Sequence, residues 1–266
     1  MSIKLSVLMS VYNEARFLDQ AINSVLSQIF SDFEFIIVDD ASTDSSLEII
    51  SIWAKRDSRI RIIRNSQNIG LTNSLNKAIQ EAKGEYIARI DADDISFPER
   101  FVKQVKFLNE NSGYGLVGSW AEIIDDKNNM LRTMKYPTES KSLKKVLIKY
   151  NPFFHSSIMI RKKVFADIGF YHEEYKFAQD YELYFRVSKK YEVTNLPLIL
   201  ISYRETVDSI TNNKNRKQIG FVIKAKLKAL REGQYPKWCY IYLLRSYLAW
   251  LTPVWLKREV KRLFYF

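Results

Sequence analysis

The first 110 residues alternate short apolar runs with stretches of helical spacing. Residues 3–11 (Ile-Lys-Leu-Ser-Val-Leu-Met-Ser-Val) read as a strand, partly alternating and partly continuously apolar. Arg16 to Gln28 places its apolar residues three and four apart, which predicts an amphipathic helix. Glu34 to Val38 is a short apolar run suited to a strand covered on both faces. Asp44 is placed to cap a helix running to about Lys55, and Ile60 to Arg64 forms a third strand. Leu71 to Ala82 is helical, with Gly84 as its expected terminator. Tyr86 to Ile90 is a fourth strand, and Pro98 stands just inside a helix reaching about Asn109. Strands alternating with helices predict βαβ units, hence an α/β fold with a mainly parallel sheet flanked by helices.

The rhythm changes after residue 113. Gly115 to Ile124 and Met130 to Met134 predict a hairpin around Asp125-Asp126-Lys127-Asn128-Asn129. Ser140 to Tyr150 is helical, Ser156 to Ile160 is strand-like, and a short helix stops at Gly169. Asp180 to Lys190 is an amphipathic helix, followed by strands near Val193 and at Leu198–Tyr203. The polar stretch Asp208 to Gln218 is the expected boundary between a domain over residues 1–212 and a tail over 213–266. That tail carries two helical patterns, 215–232 and 236–263, the second bent at Pro253.

Charge sharpens this division. The chain of 266 residues has a formal net charge of +11. Residues 1–213 hold 28 basic and 28 acidic residues, whereas 214–266 hold 13 basic residues against Glu232 and Glu259. The excess positive charge therefore lies wholly in the tail, where it suits an anionic surface or a solvated helix face. A nucleic-acid binder would be expected to carry positive charge over its main domain as well, so nucleic acid is not an expected partner. Cys239 is the single cysteine, which excludes an internal disulfide and fits a reducing, cytoplasmic setting; no secretory signal is predicted at the N-terminus. Two histidines and one cysteine leave little for a zinc hydrolase. No Gly-rich phosphate loop is present, which argues against a dehydrogenase and a nucleotidyltransferase, although the latter also uses metal-binding carboxylates.

Three acidic sites fall at the ends of predicted elements. Ligands of open α/β sheets bind beyond the carboxyl ends of strands. In Val38-Asp39-Asp40-Ala41-Ser42-Thr43-Asp44 a carboxylate is placed to accept hydrogen bonds from a base or ribose, or simply to cap the next helix. Ile90-Asp91-Ala92-Asp93-Asp94 crowds three carboxylates that repel one another unless a cation sits among them. Hard ions such as Mn2+ or Mg2+ prefer such oxygen ligands and bridge to phosphates. In Phe177-Ala178-Gln179-Asp180-Tyr181-Glu182-Leu183, Asp180 starts a helix as an ionised carboxylate, which is either a base or an N-cap.

As an ordered set these residues resemble the family 2 glycosyltransferases, over about residues 3 to 210. Ser10-Val11-Tyr12-Asn13-Glu14 resembles the family's nucleotide-binding start, the Asp39–Asp44 loop its base-contacting loop, and Asn68-Ile69-Gly70-Leu71 with Asn76 its next segment. Asp91-Ala92-Asp93-Asp94 followed by Pro98-Glu99-Arg100 is similar to its DXD metal motif, and Gln179-Asp180-Tyr181-Glu182-Leu183 to its catalytic-base motif. His155 with Met159 and Arg161 resembles an acceptor-side segment of bacterial polysaccharide enzymes. The resemblance implies a GT-A-type fold and an inverting transfer of a hexose or N-acetylhexosamine from a nucleotide-diphosphate sugar, a UDP-sugar first. It implies contacts to that donor from Val11, Tyr12, Glu14, Asp39, Asp40, Asn68, Gly70, Asp91 and Ala92. Asp93 and Asp91 would hold Mn2+ or Mg2+, Asp180 would be the base, and His155 and Gln179 would lie on the acceptor side. The implied acceptor is a lipid-linked saccharide of a capsule or O-antigen, at the inner face of the plasma membrane. Three positions depart from the pattern. Leu75 stands where the family often has Arg, Gln179 replaces a usual Glu, and Tyr203-Arg204-Glu205-Thr206-Val207-Asp208-Ser209 lacks a His common in that segment.

The tail has a stretch from Trp238 to Leu256 whose only formal charge is Arg245. Lys224, Lys226, Lys228 and Arg231 precede it, and Lys257, Arg258, Lys261 and Arg262 follow. The central Arg245, Pro253 and the recurring Trp and Tyr favour an element lying on a membrane surface over one that spans it. Packing on the main domain, or on a second subunit as a homodimer, is the other reading.

Overall fold

The computed structural model describes residues 3–205 and 215–251. Among the described residues nine strands form one sheet: β1 (Leu5–Val11), β2 (Phe33–Asp39), β3 (Ile60–Arg64), β4 (Tyr86–Arg89), β5 (Ile95–Ser96), β6 (Tyr114–Ile124), β7 (Met130–Met134), β8 (Met159–Arg161) and β9 (Glu192–Arg204). The helices are α1 (Ala15–Leu26), α2 (Ser46–Arg56), α3 (Leu71–Glu81), α4 (Arg100–Glu110), α5 (Ser140–Leu147), α6 (Lys162–Ile168), α7 (Gln179–Lys190), α8 (Asn215–Arg231) and α9 (Ile241–Leu251). The order across the sheet is β3-β2-β1-β4-β8-β6-β9-β5, with β7 pairing beside β6.

The N-terminal part is parallel as expected: β1 pairs with both β2 and β4, and β2 with β3. β1 and β2 are covered on both faces, which is why they read as apolar runs. Period-2 alternation still sorts their side chains. Leu5, Val7, Met9, Phe35 and Ile37 join one core with Leu18, Ile22 and Val25 of α1 and Phe101 of α4. Leu8, Ile36 and Val38 face the other core, with Leu75 and Ile79 of α3 and much of α7. Burial of each such side chain contributes about 1.5–3 kcal/mol.

Beyond β4 the sheet is mixed. β8 inserts antiparallel to both β4 and β6, whereas β9 runs parallel to β6. Two segments expected as separate strands are one, β9, whose register against β6 shifts near Ser119–Ala121. The strand expected from Ser156 begins only at Met159, because His155–Ser157 form a 3-10 turn. The two-residue β5, which no pattern announced, pairs with Ser202 and Ile201 of β9. That pairing draws the loop after β4 against Tyr203 and Arg204.

Two capping expectations change in detail. Asp44 serves two helices, accepting from the Ser46 amide at 3.0 Å and from the Ala15 amide at 3.1 Å. Gly84 does not terminate α3, whose C-cap is Ala82. Its role is close approach: a Cβ at Gly84 would lie 2.4 Å from the Ser6 amide nitrogen. There the Gly84 amide donates to Ser6 Oγ, which donates to buried Glu34, a carboxylate also held by Arg61.

The described part of the tail packs on the rest of the chain. Ile223, Ala225, Ala229 and Leu230 of α8, with Cys239 and Leu243, join the larger core beside α7. Lys228, expected among the surface cations, ion-pairs with buried Glu182 at 2.9 Å. Lys226 is buried, and burial with the charge of Arg245 pushes its ammonium down to about 8. The other side of α9 is exposed and mostly apolar, with Ile241, Leu244, Tyr247, Leu248 and Leu251 around the exposed Arg245. No helix among the described residues is long and apolar enough to cross a membrane. Pro253, Lys257, Arg258, Lys261 and Arg262 lie outside the described residues.

Candidate active site

The loops after β1, β2 and β4 and the start of α7 bring the expected residues to one end of the sheet. The first two loops are stitched together. Asn13 Oδ1 accepts from the Thr43 amide at 2.8 Å, and the Glu14 amide donates to Ser46 Oγ at 3.0 Å. Val11 is buried at the end of β1, and Tyr12 beyond it is 45% exposed. Asp39 and Asp40 are both buried but differ in their partners. Asp40 accepts from Asn65 Nδ2 at 2.8 Å and from the amides of Ile69 and Gly70 at 2.9 and 2.8 Å. Its carboxylate is thus spent on holding the 65–70 loop. Gly70, at φ +86°, allows the turn into α3, and Asn68 stands exposed on this loop. Asp39 accepts from the Ser42 amide through Oδ1, while its buried Oδ2 has no hydrogen-bond partner and lies 4.0 Å from Arg64 Nε. Of the two, Asp39 is the carboxylate left for a ligand.

In the third loop, oxygens of Asp91, Asp93 and Asp94 lie within 4.8 Å of one another. Asp91 is claimed from below: Arg89 forms a two-pronged ion pair with it, and Ser156 Oγ donates to it at 3.0 Å. Asp94 is buried. Oδ1 accepts from the Arg204 amide at 2.8 Å, while Oδ2 has no hydrogen-bond partner. Burial and then the charge of Asp93 push Asp94 up to about 7, and burial raises Asp93 as well. Glu14 is also pushed up to about 7, by burial and then by the charges of Asp93 and Asp44. The first and third loops therefore meet electrostatically. An unpartnered buried carboxylate oxygen among repelling acids is the donor set a hard divalent cation fits. Ala92 is buried within the same loop.

Asp180 sits in the first turn of α7. Asn151 Nδ2 donates to its Oδ2 at 2.9 Å. Burial raises its pKa above the usual carboxylate range, against the pull of the helix amides, Arg89 and Asn151. Gln179 is buried beside it. His155 Nε2 lies 2.7 Å from the hydroxyl of Tyr171, and burial with the charge of Arg89 holds its pKa well below the ordinary value, so the ring stays neutral. Met159 and Arg161 lie away from this group: Met159 is in the core, and Arg161 binds the carbonyl of Tyr114 at 2.8 Å.

Several residues here were not anticipated. Arg89 is in electrostatic reach of Asp94 and Asp180 while gripping Asp91, so it joins the acidic loop to the α7 side. Its signal was an arginine inside an apolar strand directly before the acidic motif. Arg100 lies fully buried beneath, donating to the Arg89 carbonyl at 2.7 Å. Arg204 donates to the carbonyls of Asp93 and Asp125 and to Gln20 Oε1, so a cation braces the acidic loop. Asn151 and Ser156 had no sequence signal.

Backbone strain gathers at the same place. Among the described residues the non-glycine residues at positive φ are Asn13, Ala41, Asn128 and Ala178. Asn128 belongs to the β6–β7 turn; the other three stand one in each of the loops carrying Tyr12, Asp39 and Asp180. For alanine this conformation costs about 1–2 kcal/mol, a cost that tends to persist where loop geometry matters to function.

A sheet of this topology with acidic loops at its carboxyl end defines a GT-A-type scaffold. The chain belongs to glycosyl transferase family 2, whose model matches residues 6–169. It is 33% identical over 258 residues to the putative glycosyltransferase EpsE of Bacillus subtilis, covering 94% of this chain and 90% of that protein. It is 31% identical over 207 residues to the O-antigen biosynthesis glycosyltransferase WbnJ of Escherichia coli, covering 75% of this chain and 79% of that one. Its fold resembles S. aureus TarS 1–349 in complex with UDP-GlcNAc, with TM-score 0.68 at 19% identity over 84% of this chain and 66% of that chain. It also resembles the mannosyltransferase PcManGT of Pyrobaculum calidifontis in complex with GDP-Man and Mn2+, with TM-score 0.68 at 18% identity over 92% and 69%. At these identities the two structures speak to the fold alone.

Proposed function

We propose that this glycosyltransferase moves a hexose or N-acetylhexosamine from a nucleotide-diphosphate sugar, a UDP-sugar first, to an acceptor hydroxyl with inversion at the anomeric carbon. The observation that carries this reading is one buried carboxylate, Asp180, oriented by Asn151 and linked through Arg89 to the acidic loop. Tyr12 and the free oxygen of Asp39 bind the base; Asp40, Asn68 and Gly70 shape that wall. Val11, Glu14, Asp91 and Ala92 border the ribose and diphosphate. Asp93 and Asp94, with Asp91, would hold Mn2+ or Mg2+, which when bound neutralises charge on the leaving diphosphate. Asp180 takes the proton of the acceptor hydroxyl as that oxygen attacks the anomeric carbon from the face opposite the diphosphate. One base suffices, and no covalent intermediate forms. His155 and Gln179 border the acceptor, and Arg204 steadies the acidic loop.

The biological setting is a bacterial surface polysaccharide, supported by the O-antigen role in the name of WbnJ. The acceptor is then a lipid-linked saccharide at the cytoplasmic face of the plasma membrane. The exposed apolar side of α9 supports contact with that surface, and the same side would serve a homodimer if membranes are not its partner.

The test is a thermal-shift screen of UDP- and GDP-sugars with Mn2+, followed by product NMR. A bound donor raises the melting temperature by mass action. Retention of configuration would refute the single-base mechanism, and a rate indifferent to EDTA would remove the metal.

A further inference from the structure

A small third core lies over the ends of β6 and β9, made of Ala121, Ile123, Phe154 and Ile201. Its outer layer is aromatic. Tyr136 lies with its ring centroid 6.1 Å from Tyr150 and 5.3 Å from Phe154, and Phe154 lies 5.3 Å from Tyr203. Four rings thus run in sequence, with Phe154 buried among them. Tyr150 is 44% exposed, and Tyr136 and Tyr203 are half-buried. Trp120 Nε1 fixes the backbone beneath by donating to the Tyr136 carbonyl at 2.9 Å.

The row is anchored to catalytic elements at both ends. Tyr150 precedes Asn151, which holds Asp180, and Tyr203 precedes Arg204, whose amide holds Asp94. Phe154 in the middle precedes His155. We propose that Tyr150, Tyr136 and Tyr203, laid over Phe154, form a stacking shelf for a pyranose ring of the acceptor. This rests on the transferase reading above and adds the residues that meet the sugar of its second substrate. A pyranose presents C–H groups on its faces and hydroxyls on its rim. The faces suit the negative face of an aromatic ring, and the rim suits phenol hydroxyls. A lipid chain would be met by exposed aliphatic side chains, but Ala121, Ile123 and Ile201 are buried under the rings. A nucleobase belongs at Tyr12 and Asp39, on the far loops. The shelf supplies sugar recognition that the acidic loops, facing a diphosphate, do not.

The full chain with Mg2+ and UDP is mixed with methyl glycosides of glucose, galactose, mannose and N-acetylglucosamine. Ring contact is read by saturation-transfer NMR, and UDP and GDP binding by calorimetry on the same samples. At least one glycoside receives saturation, strongest on protons of one ring face. Tyr150→Ala weakens its binding about fivefold or more, whereas Tyr150→Trp retains it and nucleotide binding is unchanged in both. Nucleotide binding with no glycoside signal, or a signal undiminished in Tyr150→Ala, overturns the shelf alone. So does an equal loss of nucleotide binding in Tyr150→Ala, which would make Tyr150 structural. Absence of both UDP and GDP binding overturns the transferase reading and the shelf with it.

Discussion

Replacing Asp180 by Asn isolates the base from the frame around it. The side chains have the same shape, and the Asn oxygen can still accept the bond that Asn151 now gives to Oδ2 at 2.9 Å. The fold and the donor site should therefore persist. Only the capacity to take a proton is lost, which for a positioned general base lowers kcat by about 10²–10⁴-fold. At about 1.36 kcal/mol per tenfold, the barrier rises by about 2.7–5.4 kcal/mol. The pH profile separates this from a structural effect. Burial raises the pKa of Asp180, and the group works only when ionised. Wild-type kcat should thus fall as pH drops through that raised value and level off above it. Burial and neighbouring acids also push Glu14 and Asp94 up to about 7, so both proteins are compared at one Mn2+ concentration. The part of the acid limb that disappears in Asp180→Asn belongs to Asp180. Release of nucleoside diphosphate measures the rate, and calorimetry measures donor affinity. An unchanged acid limb, or donor affinity lost in step with rate, would refute the assignment.

Neighbouring aspartates should behave oppositely. Asp40→Asn should destabilise the fold by about 2–4 kcal/mol in urea melts, because its oxygens satisfy three donors; Asp39→Asn should leave stability nearly unchanged and weaken nucleotide binding about tenfold. Asp93→Asn should abolish Mn2+-dependent donor binding without lowering the melting temperature in the absence of metal, because it removes a charge that repels Asp94; retained Mn2+ dependence would exclude Asp93 as a ligand. Gly84→Ala should cost at least about 1–3 kcal/mol, since its Cβ would collide with the Ser6 backbone. Leu244→Glu with Leu248→Glu should release the protein from anionic liposomes without lowering its melting temperature, both residues being exposed; a wild type that ignores such liposomes would end the membrane proposal.

The legible parts of the fold were those written locally. β1 and β2 are buried on both faces, so they show as apolar runs, and α1, α3 and α7 show their buried stripes. The acidic sites were legible because each follows a strand or opens a helix. What escaped is non-local. Arg89 meets Ser156 and Arg204 meets Asp93 across 67 and 111 positions of sequence, and no periodicity connects such partners. β5 is too short to show a period, and the antiparallel pairing of β8, itself legible as a strand, is set by β4 and β6. The tail's charge suggested a surface element, but spacing could not reveal that Lys226 and Lys228 turn inward, because burial of a lysine depends on an acceptor elsewhere in the chain. The division of labour between Asp39 and Asp40 was hidden for the same reason: only the fold of the 65–70 loop decides which carboxylate is already engaged.

The inward-facing Lys226 has a consequence for engineering. It donates to the carbonyl of Lys149 at 2.9 Å and to Ser246 Oγ at 3.1 Å. Tyr235 Oη donates to the carbonyl of Lys144 at 2.9 Å, and Lys149 Nζ lies 5.3 Å from the centre of the Tyr242 ring. Residues 144–149 lead straight into Tyr150 and Asn151. A chimera that exchanges the C-terminal helices with those of a relative would cut the ties to Lys144 and Lys149. The graft therefore has to carry the 144–151 segment with it, and with that segment comes the residue that orients Asp180. In this chain the C-terminal helices and the segment that orients Asp180 are not separately interchangeable parts.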